Sequence, residues 1–228
     1  MMIHIILTSA LQIPQGSMKI SNFNHRIHET KKSLTAWNKV KNCEIHCLDN
    51  TDANLTSFSK TFERVSFTHV PGGPYSNNAL GEFTTIKSFF TDGKQLGEND
   101  IILKVNARYF VANINVILED IYANPEVDCW CHLRSNLKFA DTRVIAGSKN
   151  FWETFAELNF NFNNPKFYFE HAMATHVLRR VSNGHNWRNF FHSPVIVGTS
   201  GSTGKKYSWL TQNALRPLYY RVYNWAMR

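Results

Sequence analysis

Lysine, asparagine and arginine stand at every second position from 104 to 108, within the mostly apolar stretch 99–111. Side chains alternate between the two faces of a β-strand, so Lys104, Asn106 and Arg108 are expected to project from one face. Ammonium and guanidinium groups bind phosphate oxygens strongly. The spacing therefore predicts a strand whose polar face binds an anion.

The place of this stretch in the chain bears on whether its cations are exposed. It follows three predicted strand–helix units, so we expect an interior strand with both faces covered. Buried cations need an anionic partner. The nearby acids, Glu98 and Asp100, precede the strand and cannot easily pair with Arg108. A ligand diphosphate would satisfy the cations, whereas an exposed edge strand would explain the polar face without a ligand.

Three acids stand where a carboxylate could bind or catalyse. Asp49 ends the predicted second strand, where it could hold ribose hydroxyls or a base. Asp141 opens a later strand segment. Glu170 lies near the start of a predicted helix and is the sole acid from residue 166 onward. A carboxylate at a helix N-terminus also favours the helix dipole, so a functional and a structural role for Glu170 both stay open.

Positive charge is concentrated in the C-terminal quarter. Nine lysines and arginines lie from residue 166 onward, so this quarter carries the whole formal net charge of +8. Such an excess indicates an anionic partner: phosphate, nucleic acid or an anionic membrane. A basic surface with no such partner is the alternative.

The glycine-rich segment 198–208 is not a P-loop. Thr199 stands where that motif needs its first glycine, and Lys206 stands where it needs Ser or Thr. We interpret the segment as a loop whose amides, with Lys205 and Lys206, close over phosphates. A plain surface loop explains it equally well.

Cysteine usage and hydropathy bear on the compartment. The spacings of Cys43, Cys47, Cys129 and Cys131 fit neither a zinc knuckle nor a redox motif. We expect buried free thiols in a reducing cytoplasm. No apolar run reaches the roughly 20 residues of a membrane-spanning helix, and the apolar N-terminus has no basic segment before it, so a signal peptide is not expected.

The order of the predicted elements indicates the fold. Strand and helix patterns alternate as βαβαβαβ through residue 111, and a less regular half follows, with further strands, a helix that Ser148 could cap and a helix beginning near Glu170. This order predicts an α/β fold: a mixed, mostly parallel Rossmann-type sheet with helices on both faces. In such sheets ligands bind beyond the carboxyl ends of the strands.

Over about residues 1 to 200, the chain resembles the GT-A-type glycosyltransferases, in particular short ones from surface-polysaccharide loci of bacteria and large viruses. The segments that carry this resemblance are "ILTSA", "LDNTD", "ALGEFTTIKSFF", "ILKVNARYF", "DTRVIAGS" and "YFEHAMATHVL". In that fold the strand after the third helix ends in a D-x-D motif, which chelates the metal on the sugar nucleotide's diphosphate. Here "VNARY" stands in that place, so the chelating acids are absent.

The resemblance implies a site for a nucleotide-sugar donor. Glu170 matches the carboxylate that activates an acceptor hydroxyl, with Asp141 as the reserve. We expect no metal ligands; Lys104 and Arg108 would supply the positive charge instead, and Mn²⁺ or Mg²⁺ stays open as a cofactor. The predicted donor-binding residues are Thr8, Ser9 and Asp49 at the nucleoside, Glu82 and Lys87 on the third helix, Lys104, Asn106 and Arg108 at the diphosphate, and Lys205 and Lys206 on the closing loop.

The resulting prediction is a glycosyltransferase that moves a sugar from a nucleotide-sugar to a glycan or lipid-linked acceptor. Residues 1–208 would form the catalytic domain. Residues 209–228 would form a basic aromatic helix, which packs on the domain or contacts an anionic inner membrane. Two alternatives stay open: a non-enzymatic binder of nucleic acid or another polyanion, and a glycosyltransferase-like protein without activity.

Overall fold

The computed structural model describes residues 1–13, 22–51, 53–73, 75, 77–91, 95–164, 166–201 and 203–207. Its strands are β1 (Ile3–Ser9), β2 (Glu44–Asp49), β3 (Val65–His69), β4 (Ile101–Asn106), β5 (Tyr109–Val111), β6 (Cys129–Trp130), β7 (Val144–Ser148), β8 (Trp187–Arg188), β9 (Ile196–Thr199) and β10 (Lys206–Tyr207). Its helices are α1 (Phe23–Trp37), α2 (Thr56–Thr61), α3 (Asn78–Thr91), α4 (Ile114–Tyr122), α5 (Lys149–Glu157) and α6 (Phe169–Ser182).

The main sheet has seven strands in the order β3-β2-β1-β4-β7-β6-β8. β1 pairs in parallel with β2 and with β4, and β2 pairs in parallel with β3. β7 runs antiparallel to β4, which makes the sheet mixed. This arrangement confirms the predicted α/β class and its mostly parallel sheet.

Helices cover both faces of the sheet, as predicted. Buried side chains of α1, α2 and α4 form one hydrophobic core with one face, and those of α3, α5 and α6 form a second core with the other. Two indoles anchor helices to the strands, since Trp37 Nε1 donates to the Tyr109 carbonyl at 2.7 Å and Trp152 Nε1 donates to the Ile102 carbonyl at 2.9 Å. The helices are therefore held to the sheet by hydrogen bonds as well as by apolar burial.

The stretch 99–111 is not one strand, which corrects the sequence prediction. β4 ends at Asn106, whose side-chain Oδ1 accepts from the Arg108 amide at 3.2 Å. An asparagine that bonds the backbone two residues on makes a local turn. The chain then continues as β5, which belongs to the small sheet of order β10-β9-β5. Arg108 therefore lies in a turn, and it does not share a strand face with Lys104.

Two local predictions are confirmed. β4 is an interior strand, flanked by β1 and β7, and Lys104 is only 1% exposed. Ser148 caps α5, since its Oγ accepts from the Phe151 amide at 3.0 Å. The cap depends on residues close together in the chain, whereas the interior position of β4 follows from the order of the strand–helix units before it.

The cysteines are free thiols, as predicted. Cys47, Cys129 and Cys131 are buried and Cys43 is half-buried. Burial raises the pKa of the Cys43 thiol to about 11 and that of Cys47 further. The thiols of Cys43 and Cys47 are therefore protonated at neutral pH and are weak nucleophiles.

The predicted C-terminal helix, residues 209–228, lies outside the described residues, and its packing or membrane role stays a prediction. Among the described helices, none is both long enough and apolar enough to span a bilayer.

Candidate active site

Two adjoining cavities open where the carboxyl ends of β1, β2 and β4 meet. The smaller one, here called the inner cleft, is lined by the strand ends around Thr8, Asn50 and Asn106 and by the first turns of α3. The larger one, the outer cavity, has a volume of about 730 Å³ and extends to β7 and the start of α6. The two share Glu82, Asn106 and Arg108 among their walls. This is the crevice in which open α/β sheets bind ligands.

Two arginines line the inner cleft. Arg26 of α1 is 3% exposed and Arg108 is 7% exposed. Arg26 Nε donates to the Ala10 carbonyl at 2.7 Å. Burial, followed by the charge of Arg108, lowers the pKa of Arg26 to about 9, although Asp49 and Tyr109 oppose this shift. The cleft therefore holds two cations that repel each other, which an anion would stabilise.

Arg108 has unused hydrogen-bonding capacity. Its Nε and Nη1 are buried and have no hydrogen-bond partner among the described residues. The Thr8 hydroxyl, which lines the same cleft, is also buried and also has no partner among them. Buried polar groups are nearly always paired in native proteins. Three unpartnered atoms around one cleft therefore indicate that a polar ligand supplies their partners.

The loop between β9 and β10 packs against Arg108. A Cβ atom on Gly201 would lie 2.6 Å from Arg108 Nη2, and a Cβ on Gly198 would lie 2.4 Å from the Arg108 carbonyl. Gly198 also has φ of +142°, which other residues rarely adopt. Glycine at 201 lets the loop approach the guanidinium without a side chain between them, and glycine at 198 lets β9 approach the backbone of Arg108.

Lys104 has its partner within the chain. Its ammonium is paired with the Glu82 carboxylate on α3 and donates to the Thr142 carbonyl at 2.8 Å. It also lies 5.2 Å from the centre of the Phe169 ring. The expectation that this buried cation requires a ligand anion is therefore wrong for Lys104, although the pair lines the outer cavity.

Glu170 lies in the outer cavity beside this pair. Burial raises the pKa of its carboxyl, the charges of Glu82 and Asp141 raise it further, and Lys104 opposes them. Glu170 forms no salt bridge with any residue that the structure describes. A carboxyl with a raised pKa in a cavity is a candidate for proton transfer.

Asp141 also reaches the outer cavity, but its carboxylate is engaged. Arg143 Nε donates to Asp141 Oδ1 at 2.7 Å, and Arg143 Nη2 contacts Oδ2. The Arg143 guanidinium stacks 5.2 Å from the ring of Tyr207, at the end of the β9–β10 loop. Asp141 thus helps to hold this loop, and it is a weaker base candidate than Glu170.

Other predicted site residues take different positions. Asp49 is fully buried and does not line either cavity; it accepts from the amides of Leu11 at 3.0 Å and Thr51 at 2.9 Å. It therefore shapes the loops that form the cleft. Thr8 and Ser9 line the inner cleft as expected. Lys87, Lys205 and Lys206 are exposed, and none of them lines the inner cleft or the outer cavity.

Sequence reasoning missed Arg26 and Asn50. Arg26 is in helical phase with Thr30, Ser33 and Trp37 on the buried face of α1, and a charge on that face was the available signal. Asn50 Nδ2 donates to the Gly81 carbonyl at 3.0 Å and to Thr85 Oγ1 at 2.9 Å, which fixes α3 against the end of β2. Only the fold reveals that contact.

The acids of the outer cavity do not suit a metal bound by the chain itself. Glu82 is paired with Lys104, and Asp141 is paired with Arg143. Within the described part of the chain, no three His, Cys, Asp or Glu ligand atoms converge at either cavity. Among the described residues, Glu170 is thus the one acid of the outer cavity without a salt bridge, and by itself it does not make the donor set of the metal that the GT-A resemblance implies.

Comparison with known proteins supports the fold. A Desulfovibrio desulfuricans G20 protein described as a nucleotide-diphospho-sugar transferase aligns with a TM-score of 0.52 and 10% identity, over 83% of this chain and 80% of that one. The 4-diphosphocytidyl-2C-methyl-D-erythritol synthase of Anaerococcus prevotii aligns with a TM-score of 0.47 and 12% identity, over 98% of this chain and 96% of that one. A Leptospira borgpetersenii cytidylyltransferase aligns with a TM-score of 0.47 and 10% identity, over 87% of this chain and 81% of that one.

No protein-family model and no curated protein sequence matches the chain. The first of the three structures shows the same kind of mixed α/β sheet, and its likeness concerns the fold alone.

Proposed function

We propose that this protein is a nucleotide-sugar-dependent glycosyltransferase that transfers a sugar to a hydroxyl of a glycan or lipid-linked acceptor. One observation carries the proposal: Arg108 is buried beside Arg26 with unpartnered donors, in a cleft that opens onto Glu170. The two arginines can bind a diphosphate, and the Glu170 carboxyl can accept the proton of an acceptor hydroxyl. The fold shared with a nucleotide-diphospho-sugar transferase agrees with this combination.

The donor diphosphate would lie against the two arginines. A guanidinium offers five N–H donors, so Arg108 can bind two phosphate oxygens at once. The negative charge would also relieve the repulsion between Arg108 and Arg26. In a site screened from water, these cations would stabilise the charge that develops on the departing nucleoside diphosphate. Arg26 thus takes the role that the sequence assigned to Lys104.

The acceptor would occupy the outer cavity near Glu170. For an inverting displacement, the Glu170 carboxylate takes the proton of the acceptor hydroxyl as its oxygen bonds to the anomeric carbon. The bond from that carbon to the diphosphate oxygen breaks, and its electron pair leaves with the nucleoside diphosphate. Of the neighbouring charges, Lys104 favours the ionised form of Glu170, whereas Glu82 and Asp141 oppose it.

Nucleotidyl transfer is the second candidate, and the paired arginines favour it. In that reaction the phosphate of a sugar phosphate attacks a nucleoside triphosphate, and pyrophosphate leaves. A phosphate nucleophile is already ionised, so this chemistry has no use for a base such as Glu170. The position of the Glu170 carboxyl in the outer cavity therefore favours transfer to a hydroxyl.

The polyanion-binding alternative rests on the basic and aromatic residues of the C-terminal quarter, and those beyond Tyr207 lie outside the described residues. It remains a hypothesis, as does an inactive relative of the transferases.

A thermal-shift panel of nucleotides and sugar nucleotides, with and without Mn²⁺, tests the proposal. We expect one nucleoside diphosphate and its sugar conjugate to raise Tm without Mn²⁺, and Arg108→Met to abolish the shift. Arg179→Met, an exposed arginine on α6, is the matched control. Product analysis then separates the candidates, because glycosyl transfer releases nucleoside diphosphate and nucleotidyl transfer releases pyrophosphate. A Tm that responds to DNA or heparin and to no nucleotide would overturn the proposal.

A further inference from the structure

Two histidines and a glutamate meet at the end of the sheet opposite the cleft. His4 and Glu44 are register partners on β1 and β2, near the amino-terminal ends of these strands. His46 follows Glu44 by two residues on β2, so its side chain lies on the same face of the sheet. The histidines are buried at 5% and 6% exposure, while the Glu44 side chain is 56% exposed. The cluster is therefore formed by buried rings and is open to solvent on one side.

The distances within the cluster match the coordination of a small cation. His4 Nδ1 lies 3.3 Å from His46 Nε2 and 3.4 Å from Glu44 Oε2, and His46 Nε2 lies 3.6 Å from Glu44 Oε2. Zinc binds histidine and carboxylate at about 2.0–2.2 Å in tetrahedral geometry, so two of its ligand atoms are separated by about 3.3–3.6 Å. All three measured edges fall in this range.

The surroundings orient His4 as a metal ligand. Its Nε2 lies 3.2 Å from Asp100 Oδ2, and Asp100 is itself held by the amides of Met2 at 2.8 Å and Gly97 at 2.7 Å. An ionised carboxylate only accepts, so the proton of His4 is on Nε2 and Nδ1 directs its lone pair at the cluster. A carboxylate behind a ligating histidine is the usual support of a zinc site.

Without a cation, this arrangement brings acceptors together. The Nδ1 lone pair of His4 and the carboxylate of Glu44 face each other at 3.4 Å. A hydrogen bond donated by His46 Nε2 to His4 Nδ1, a second proton on His4 or a bound metal ion would each resolve the repulsion. The three distances between ligand atoms all match a tetrahedral metal site, and this favours the metal. A proton shared by two atoms would require only one of the three distances to be short.

We propose that His4, Glu44 and His46 bind a divalent transition-metal ion, with zinc the best match, and that Asp100 positions His4. The exposed side beyond Glu44 leaves a fourth place for water. The ion would join β1 to β2 at the end of the sheet remote from the cleft, so it would act on stability. The site is independent of the proposed transferase activity.

Metal titration of the untagged, chelator-stripped full chain tests the site. We expect one Zn²⁺ per chain by calorimetry, a rise in Tm with Zn²⁺, and the visible absorption of tetrahedral Co²⁺. Glu44→Gln, at an exposed position that tolerates the change, and His46→Phe should each weaken binding by more than the roughly 10–100-fold expected for Asp100→Asn. Glu63→Gln, another exposed glutamate, should leave binding unchanged.

Two results would overturn the site. One is zinc affinity that is equal in the wild type, Glu44→Gln and His46→Phe, since the ion would then bind elsewhere. The other is no zinc uptake by the wild type, and NMR of the His4 and His46 rings would then show which nitrogen carries the proton in place of the metal.

Discussion

The ammonium of Lys104 on β4 is paired with the carboxylate of Glu82 on α3, beneath the outer cavity. The pair joins the central strand to a helix on the second core, and Lys104 also bonds the Thr142 carbonyl that precedes β7. The Lys104 side chain is 2% exposed and that of Glu82 is 24% exposed. The geometry thus makes this pair a structural support of the site.

Breaking this pair should destabilise the fold. Lys104→Met leaves the Glu82 carboxylate partly buried and uncompensated, which costs about 3–5 kcal/mol when one partner of a buried pair is removed. Urea unfolding measures the loss. The double variant Lys104→Met/Glu82→Gln should recover part of it, and Lys166→Met, at an exposed site, should change stability by no more than about 0.5 kcal/mol. Strictly additive effects of the two changes would show that the pair is not coupled.

Removing Arg108 should separate binding from stability. Arg108→Met deletes donors that have no partner among the described residues, and it relieves the repulsion of Arg26. The ligand-free Tm should therefore stay equal or rise. Affinity for the nucleoside diphosphate should fall by about 1.5–3 kcal/mol, the range for hydrogen bonds to charged groups. Calorimetry and thermal melts on one preparation give both numbers, and a lower Tm with unchanged affinity would assign Arg108 a structural role.

Glu170→Gln should remove the base while preserving the shape of the cavity. Turnover should fall by roughly 10²–10⁴ with little change in donor binding. The wild-type rate should rise as the pH passes through the raised pKa of Glu170, because only the ionised carboxylate accepts the proton. The variant should not show this rise with pH. Glu157→Gln, exposed at the end of α5, is the control. Near-normal turnover in Glu170→Gln would leave this carboxylate as a helix-terminus residue.

His176 should make the fold sensitive to acid. Burial lowers the pKa of its ring to about 4, its contact with the Phe151 carbonyl opposes this, and the charge of Arg180 lowers it further. Between about pH 6.5, the usual histidine value, and pH 4, the unfolded chain binds a proton that the native state excludes. The free energy of unfolding should therefore fall by up to about 1.4 kcal/mol per pH unit as the pH drops through this window.

Urea unfolding at a series of pH values measures this slope. His176→Phe should reduce the slope of the unfolding free energy against pH by the contribution of one proton, whereas His28→Phe, at an exposed position of α1, should leave the slope unchanged. An unchanged slope in His176→Phe would assign the acid sensitivity to other groups.

Much of the architecture could be predicted from the sequence, because it depends on neighbours in the chain. Alternation of strand and helix patterns indicated the mixed parallel sheet, flanking units indicated that β4 is interior, and Ser148 indicated the start of α5. Thr8, Ser9 and Asn106 lie at the ends of β1 and β4 and line the inner cleft, and their part in donor binding stays a prediction.

The tertiary structure alone decided how the charges are paired. The side chain of Asn106 turned the chain before Arg108, and α3 brought Glu82 to Lys104, so the two predicted cations received different roles. Arg26 on α1 lies near Arg108, which is remote from it in sequence. His4 on β1 lies next to His46 on the neighbouring strand β2. Electrostatic pairing depends on distances of a few ångströms between elements remote in sequence. Local residue spacing encodes the elements, but it does not encode those distances.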